Sequence, residues 1–114
     1  MSQQLQNRLA VCSWSLQPET PAALFAHLDS IGIRRVQIAL DPIRDNPAVW
    51  GSFADEAEKL GVALVSGMFG TIGEDYATME TIKQTGGLVP DGTWERNWEN
   101  IQATAALAQR MELP

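Results

Sequence analysis

Four side chains stand where they could meet a small ligand: Trp14, Gln37, Met68 and Trp94. Ser13-Trp14-Ser15 follows an apolar run, Leu9 to Ser13, that reads as a strand. An indole between two hydroxyls suits stacking on the apolar face of a sugar while its polar neighbours bond the sugar hydroxyls. The same ring suits an apolar plug at the end of the strand layer. Gln37 lies inside a second run, Val36 to Leu40. Its amide donates and accepts, so it fits a substrate hydroxyl or a backbone group equally well. Ser66, Met68 and Phe69 follow the third run, and Trp94 opens a final helix beside a long insertion, facing a site or a lid over it.

The rest of the chemical inventory is thin. The one histidine, His27, lies beside the core stripe of the first long helix with no second ligand along that helix, and reads as a surface residue. A hydrolytic or isomerase metal site needs clustered His, Asp and Glu, and a Ser/His/Asp set has no imidazole to serve it. No Walker pattern or Gly-x-Gly-x-x-Gly follows the first strand. Thr85-Gly86-Gly87 has the composition of a backbone anion nest and equally of a simple turn, the commoner use of paired glycines. Asp41, before Pro42, reads as a turn residue, and Cys12 as a small buried hydrophobe. No catalytic residue and no metal ligand is assigned to this chain.

These residues hang on a regular alternation. Thr20 is placed as an N-cap with Pro21 at the first helical position, and Leu24, Phe25, Leu28 and Ile31 share a face. Gly32 then supplies the left-handed residue that ends the helix. After the second strand, Asp41-Pro42 breaks the pattern, Asn46 and Pro47 open a helix, and Val49, Phe53, Ala57 and Leu60 form its core stripe up to Gly61. Val62 to Ser66 is the third strand. The strands lack polar alternation, which suits a parallel sheet covered on both faces, and the order indicates βαβ units. Residues 67–92 form an insertion in lid position, with a short helix at the spacing of Tyr76, Met79 and Ile82. Thr93 is placed to cap the last helix, whose stripe is Trp94, Trp98, Ile101, Ala105 and Ala108, with Trp98 in the core.

At 114 residues the chain holds one domain at most, and its 45% apolar content is that of a globular protein. A net charge of −6 argues against nucleic-acid binding, which needs a basic stripe. One cysteine forms no internal disulfide. The polar start lacks a signal-peptide core and no apolar run spans a membrane, so a soluble cytoplasmic protein is expected.

Ala26 to Ile38 and Asp55 to Ser66 share one grammar: helix end, glycine, apolar run. Ala108 to Pro114 begins it a third time, aligning with Ala57 to Ala63. A fourth strand is therefore expected just past Pro114, and the chain reads as the front of a larger repeating α/β domain.

Leu9 to Ser15, Ile31 to Leu40, Leu60 to Ser66 and Thr81 to Trp98 together resemble the start of a sugar phosphate isomerase/epimerase of the xylose isomerase-like TIM-barrel family. The run Thr85 to Asp91 is the most distinctive stretch. The resemblance covers nearly the whole chain. It implies the first three βα units of a (β/α)8 barrel, and a sugar or sugar phosphate as ligand. It also implies a divalent metal, Mn or Mg, in the complete enzyme, held by two glutamates, an aspartate and a histidine on later strands. Those glutamates shuttle protons beside a carbonyl. Where many relatives carry a Val-Glu-Leu in the second strand, this chain has Val36-Gln37-Ile38, and an amide takes up no proton near neutral pH. The exposed sheet edge of such a fragment implies self-association. Two rival readings are an endonuclease IV-like relative, disfavoured by the acidic charge, and a complete small binding domain of flavodoxin or receiver type, disfavoured because Trp14-Ser15 stands where a receiver needs an acidic pair.

Overall fold

The computed structural model describes residues 2–114. A short helical turn, α1 (Gln3–Gln6), precedes β1 (Val11–Cys12), α2 (Ser13–Leu16) and α3 (Pro21–Ile31). Then come β2 (Arg35–Ala39), α4 (Asp41–Asp45), α5 (Pro47–Trp50), α6 (Phe53–Lys59) and β3 (Ala63–Met68). The insertion carries α7 (Met79–Thr85), and α8 (Asp91–Arg110) follows it.

The fold is α/β, with three parallel strands in an open sheet of order β1-β2-β3. Val11 pairs with Val36 and Cys12 with Gln37, while Val36, Gln37 and Ala39 pair with Leu64, Ser66 and Met68. An irregularity between Val36 and Gln37 leaves Val65 as the extra residue. Because side chains alternate along a strand, Val11, Val36, Ile38 and Leu64 share one face. That face carries the core: Leu24, Phe25 and Leu28 of α3, Trp50 of α5, Phe53 and Ala57 of α6, and Leu107 of α8. Phe25 stacks on Phe53 with centroids 5.6 Å apart, and Trp50 meets Phe53 edge-on at 5.7 Å.

All these helices therefore lie on one side of the sheet. Adjacent strands joined in sequence by crossovers of one hand can put them nowhere else. The expectation of a sheet covered on both faces is corrected: Cys12, Gln37, Ser66 and Met68, on the opposite face, are only half-buried. Strand apolarity here reflects burial of the central strand, where Val36, Ile38 and Ala39 are all buried. A flavodoxin-type sheet has order 2-1-3 at this point, which this sheet does not follow.

Three helices end alike. The N–H of Ile33 donates to Leu28 O at 3.2 Å, that of Val62 to Ala57 O at 2.8 Å, and that of Leu113 to Ala108 O at 3.0 Å. The residue before each is left-handed: Gly32 at φ 70°, Gly61 at φ 69° and Glu112 at φ 54°. This is the repeated grammar realised in backbone geometry, with Glu112 in the glycine position.

Other expectations shift. The Thr20 cap forms, its Oγ1 accepting from Ala23 N–H, but Ile31 is exposed. Ser13 to Leu16 and Asp41 to Asp45 wind into helical turns rather than open loops. Asn46 caps through its carbonyl, not its side chain. Splitting that helix at Gly51-Ser52 rotates its face, so Trp50 is buried while Val49 and Leu60 are exposed. Tyr76 lies before α7, whose cap is Thr78, reciprocated by Thr81. The last helix starts at Asp91, so Thr93 sits inside its first turn. Its buried positions are Asn97, Thr104 and Leu107, which leaves Trp94, Trp98 and Ala105 outside. Cys12 is half-buried, not buried. Among the described residues, no helix is long and apolar enough to cross a membrane.

Candidate functional site

The C-terminal ends of the strands converge on the turn α2. Ser13 is 3% exposed, and its Oγ accepts the N–H of Ala39 at 2.9 Å. This bond ties the end of β1 to the end of β2 and turns the next residue, Trp14, outward at 43% exposure. Trp14, Gln17, Pro18, Ala39, Pro42 and Trp50 line a cleft of about 330 Å³. Trp14 is therefore a partly open wall of this cleft.

Gln37 lies on the open sheet face beside Cys12. Among the described residues its side-chain amide has no protein hydrogen-bond partner, and it is solvent-reachable. Met68 shares this face. Its Sδ lies 3.1 Å from Cys12 Sγ, a contact that spans the central strand above Ala39, the β2 partner of Met68. Met68 also lines a separate apolar cleft of about 270 Å³ with Leu40, Phe69 and Ile101. Trp94 is 45% exposed and stacks on Trp98 at 5.8 Å, one helical turn away. Gln37 and Met68 thus share a face, Trp14 occupies a cleft at its rim, and Trp94 belongs to an exposed aromatic pair on α8. The largest cleft, about 420 Å³, lies between the α4–α6 helices and α8, among Arg44, Trp50, Leu107 and Arg110, away from the open face.

Sequence reasoning passed over the polar groups that hold the insertion in place. Asp41 Oδ2 accepts the N–H of Gly70 at 2.7 Å, and its Oδ1 accepts from Arg44 at 2.9 Å. Arg44 also donates to Asp45 and to Thr104 of α8. Bonded to Asp45 and lying beside both carboxylates, its guanidinium is held protonated more firmly than usual. Asn97, 0% exposed, accepts the N–H of Ile72 at 2.9 Å. Glu74 accepts from Thr71, from Tyr76 and from the N–H of Gly87, the last at 2.9 Å. These three donors, the Thr71 hydroxyl foremost, hold its carboxyl below the usual range. The Thr85-Gly86-Gly87 turn does hold an anion, but it is the chain's own Glu74. The available signal was Asp41 directly after a strand and Asn97 in the middle of a helix, a poor place for asparagine without a partner.

Among the described residues no three His, Cys, Asp or Glu groups converge, and His27 is exposed on α3. No protein-family model, curated protein sequence or solved structure matches this chain.

Proposed function

We propose that this chain forms the first three βα units of a xylose isomerase-like (β/α)8 barrel acting on a sugar or sugar phosphate, and that it supplies one wall of the substrate pocket. The observation that carries the reading is the singly wound sheet. Strands follow each other in sequence order, every helix of the core packs on one face, and the other face is left half-open. In a barrel that second face becomes the packed interior, and ligands bind where the strands end. Trp14 stands at that end, and Gln37 presents a free amide on the inward face. The third helix end supports the same geometry. Leu113 reaches back to the sheet beside Leu40 and Gly67, so the chain arrives at the β3 edge as it arrived at β2 and β3.

In the parent reaction, proton transfer beside a carbonyl interconverts an aldose with a ketose or inverts a carbon. Gln37 takes no part in that transfer, because its amide is no base. Its role is to orient a hydroxyl, while Trp14 covers a C–H face of the ring and excludes water from it. The acid and base belong to strands other than these three.

Titration of the 15N-labelled chain with a panel of aldoses, ketoses and their phosphates tests the wall. One wall of a pocket binds weakly, with Kd in the millimolar range, since most of the contacts of a closed site are missing. The Trp14 indole and Gln37 amide signals are expected to move with at least one sugar, without turnover even when Mn or Mg is added. Absence of shifts at these two residues across the panel removes the binding role. Isomerisation by the purified chain overturns the assignment of acid and base to other strands.

A further inference from the structure

The segment from Gly70 to Glu74 leaves β3 and passes over the ends of the other two strands. Its position is fixed from outside at defined points. Gly70 N–H is held by Asp41 at 2.7 Å and Ile72 N–H by Asn97 at 2.9 Å. A methyl built on Gly70 would lie 3.5 Å from Cζ2 of Trp14 and 3.4 Å from Oδ2 of Asp41. Gly70 is thus hydrogen-bonded to the carboxylate and stands beside the indole, where a side chain added at this position would touch both.

We propose that Asp41 is a positioning residue, a latch that holds Gly70 beside the Trp14 indole and so fixes the side chain that forms one wall of the cleft. The geometry divides the labour of its carboxylate. One oxygen faces Gly70, and the other faces Arg44, which is braced by Asp45 and by Thr104. Arg44 occupies the second oxygen, and the first holds Gly70. Hydrogen bonds from an N–H to a charged acceptor are among the stronger ones, so this single contact outweighs the bare van der Waals packing around glycine. Without it, Ile72 on Asn97 remains as the next anchor, and the segment hinges there. The inference concerns the position of Trp14 in the cleft wall and does not depend on which ligand the cleft takes.

Amide exchange at Gly70, read together with the Trp14 indole signal, tests the latch in the whole chain. Asp41→Ala is expected to speed exchange at Gly70 by roughly tenfold or more, to shift the Trp14 indole resonance, and to leave Ile72 protected. Asp41→Asn keeps an oxygen acceptor and loses the charge, so a smaller acceleration is expected from a variant that disturbs the fold least. Arg44→Gln leaves the carboxylate facing Gly70, and protection there is expected to persist within a few-fold of the parent. Unchanged exchange at Gly70 in both Asp41 variants overturns the proposal. So does an Arg44→Gln variant that loses as much Gly70 protection as Asp41→Ala, because the effect would then belong to the ion-pair cluster and not to the latch.

Discussion

Glu74 shows how much of the insertion rests on one side chain. Its carboxylate gathers two hydroxyls and the Gly87 N–H, so the start and the end of the insertion close on each other. These donors favour the charged form and lower its pKa. The sign follows directly: the clasp is fully formed at and above the ordinary carboxylate range, and it is lost as pH falls through the lowered folded value. The protection factor of the Gly87 amide, its exchange rate relative to the intrinsic rate at each pH, is expected to hold near neutrality and to fall only in acid. Glu74→Gln is expected to bring the lower protection to neutral pH without unfolding the sheet. Equal protection in both forms at pH 7 contradicts the clasp. The group is only partly buried and lies at the surface, so solvent screening keeps its effect on global stability small.

Among the elements, the helix ends set the fold most clearly. A left-handed backbone suits glycine at Gly32 and Gly61, but the third instance falls on Glu112 at φ 54°. An L-residue there costs about 1 kcal/mol, partly offset because glycine makes the unfolded chain more flexible. Glu112→Gly is expected to stabilise the chain by about 0.5 kcal/mol, a rise in Tm of roughly 2–4 °C. Glu112→Val, branched at a positive φ, is expected to lower it by more. A lower Tm for the glycine variant contradicts the shared motif. This repeat was legible in the sequence because its spacing is local: helix, glycine, apolar run. What was not legible depended on rotation about a helix axis. The break at Gly51-Ser52 exchanges Val49 for Trp50 in the core. Starting the last helix at Asp91 does not alter its period, yet the buried side is Asn97, Thr104 and Leu107 rather than the more apolar side with Trp94 and Trp98. Tertiary contacts accompany the second, through Ile72 on Asn97 and Arg44 on Thr104. The placement of Trp14 at a strand end and of Gln37 and Met68 on one strand face was legible because strand ends and strand alternation are short-range patterns. Asp41 was read as a turn because its partner Gly70 lies 29 residues away.

At the scale of the whole molecule, the sheet is under-covered. The accessible surface is 7412 Å², against roughly 6,200 Å² for a compact monomer of this length. The radius of gyration is 15.8 Å, against about 13 Å. The excess area is comparable to what one partner buries in a standard protein interface. It includes the half-open face of Cys12, Gln37, Ser66 and Met68, and the free flanks of β1 and β3 beside it. Free strand flanks with apolar neighbours are where chains pair. Sedimentation velocity over a range from micromolar to near-millimolar chain tests this most directly. The weight-average sedimentation coefficient is expected to rise with concentration, and a charge placed on the open face by Met68→Lys is expected to suppress the rise. A single monomeric boundary at every concentration, from a chain that also unfolds cooperatively, would contradict an open sheet face that other chain segments cover.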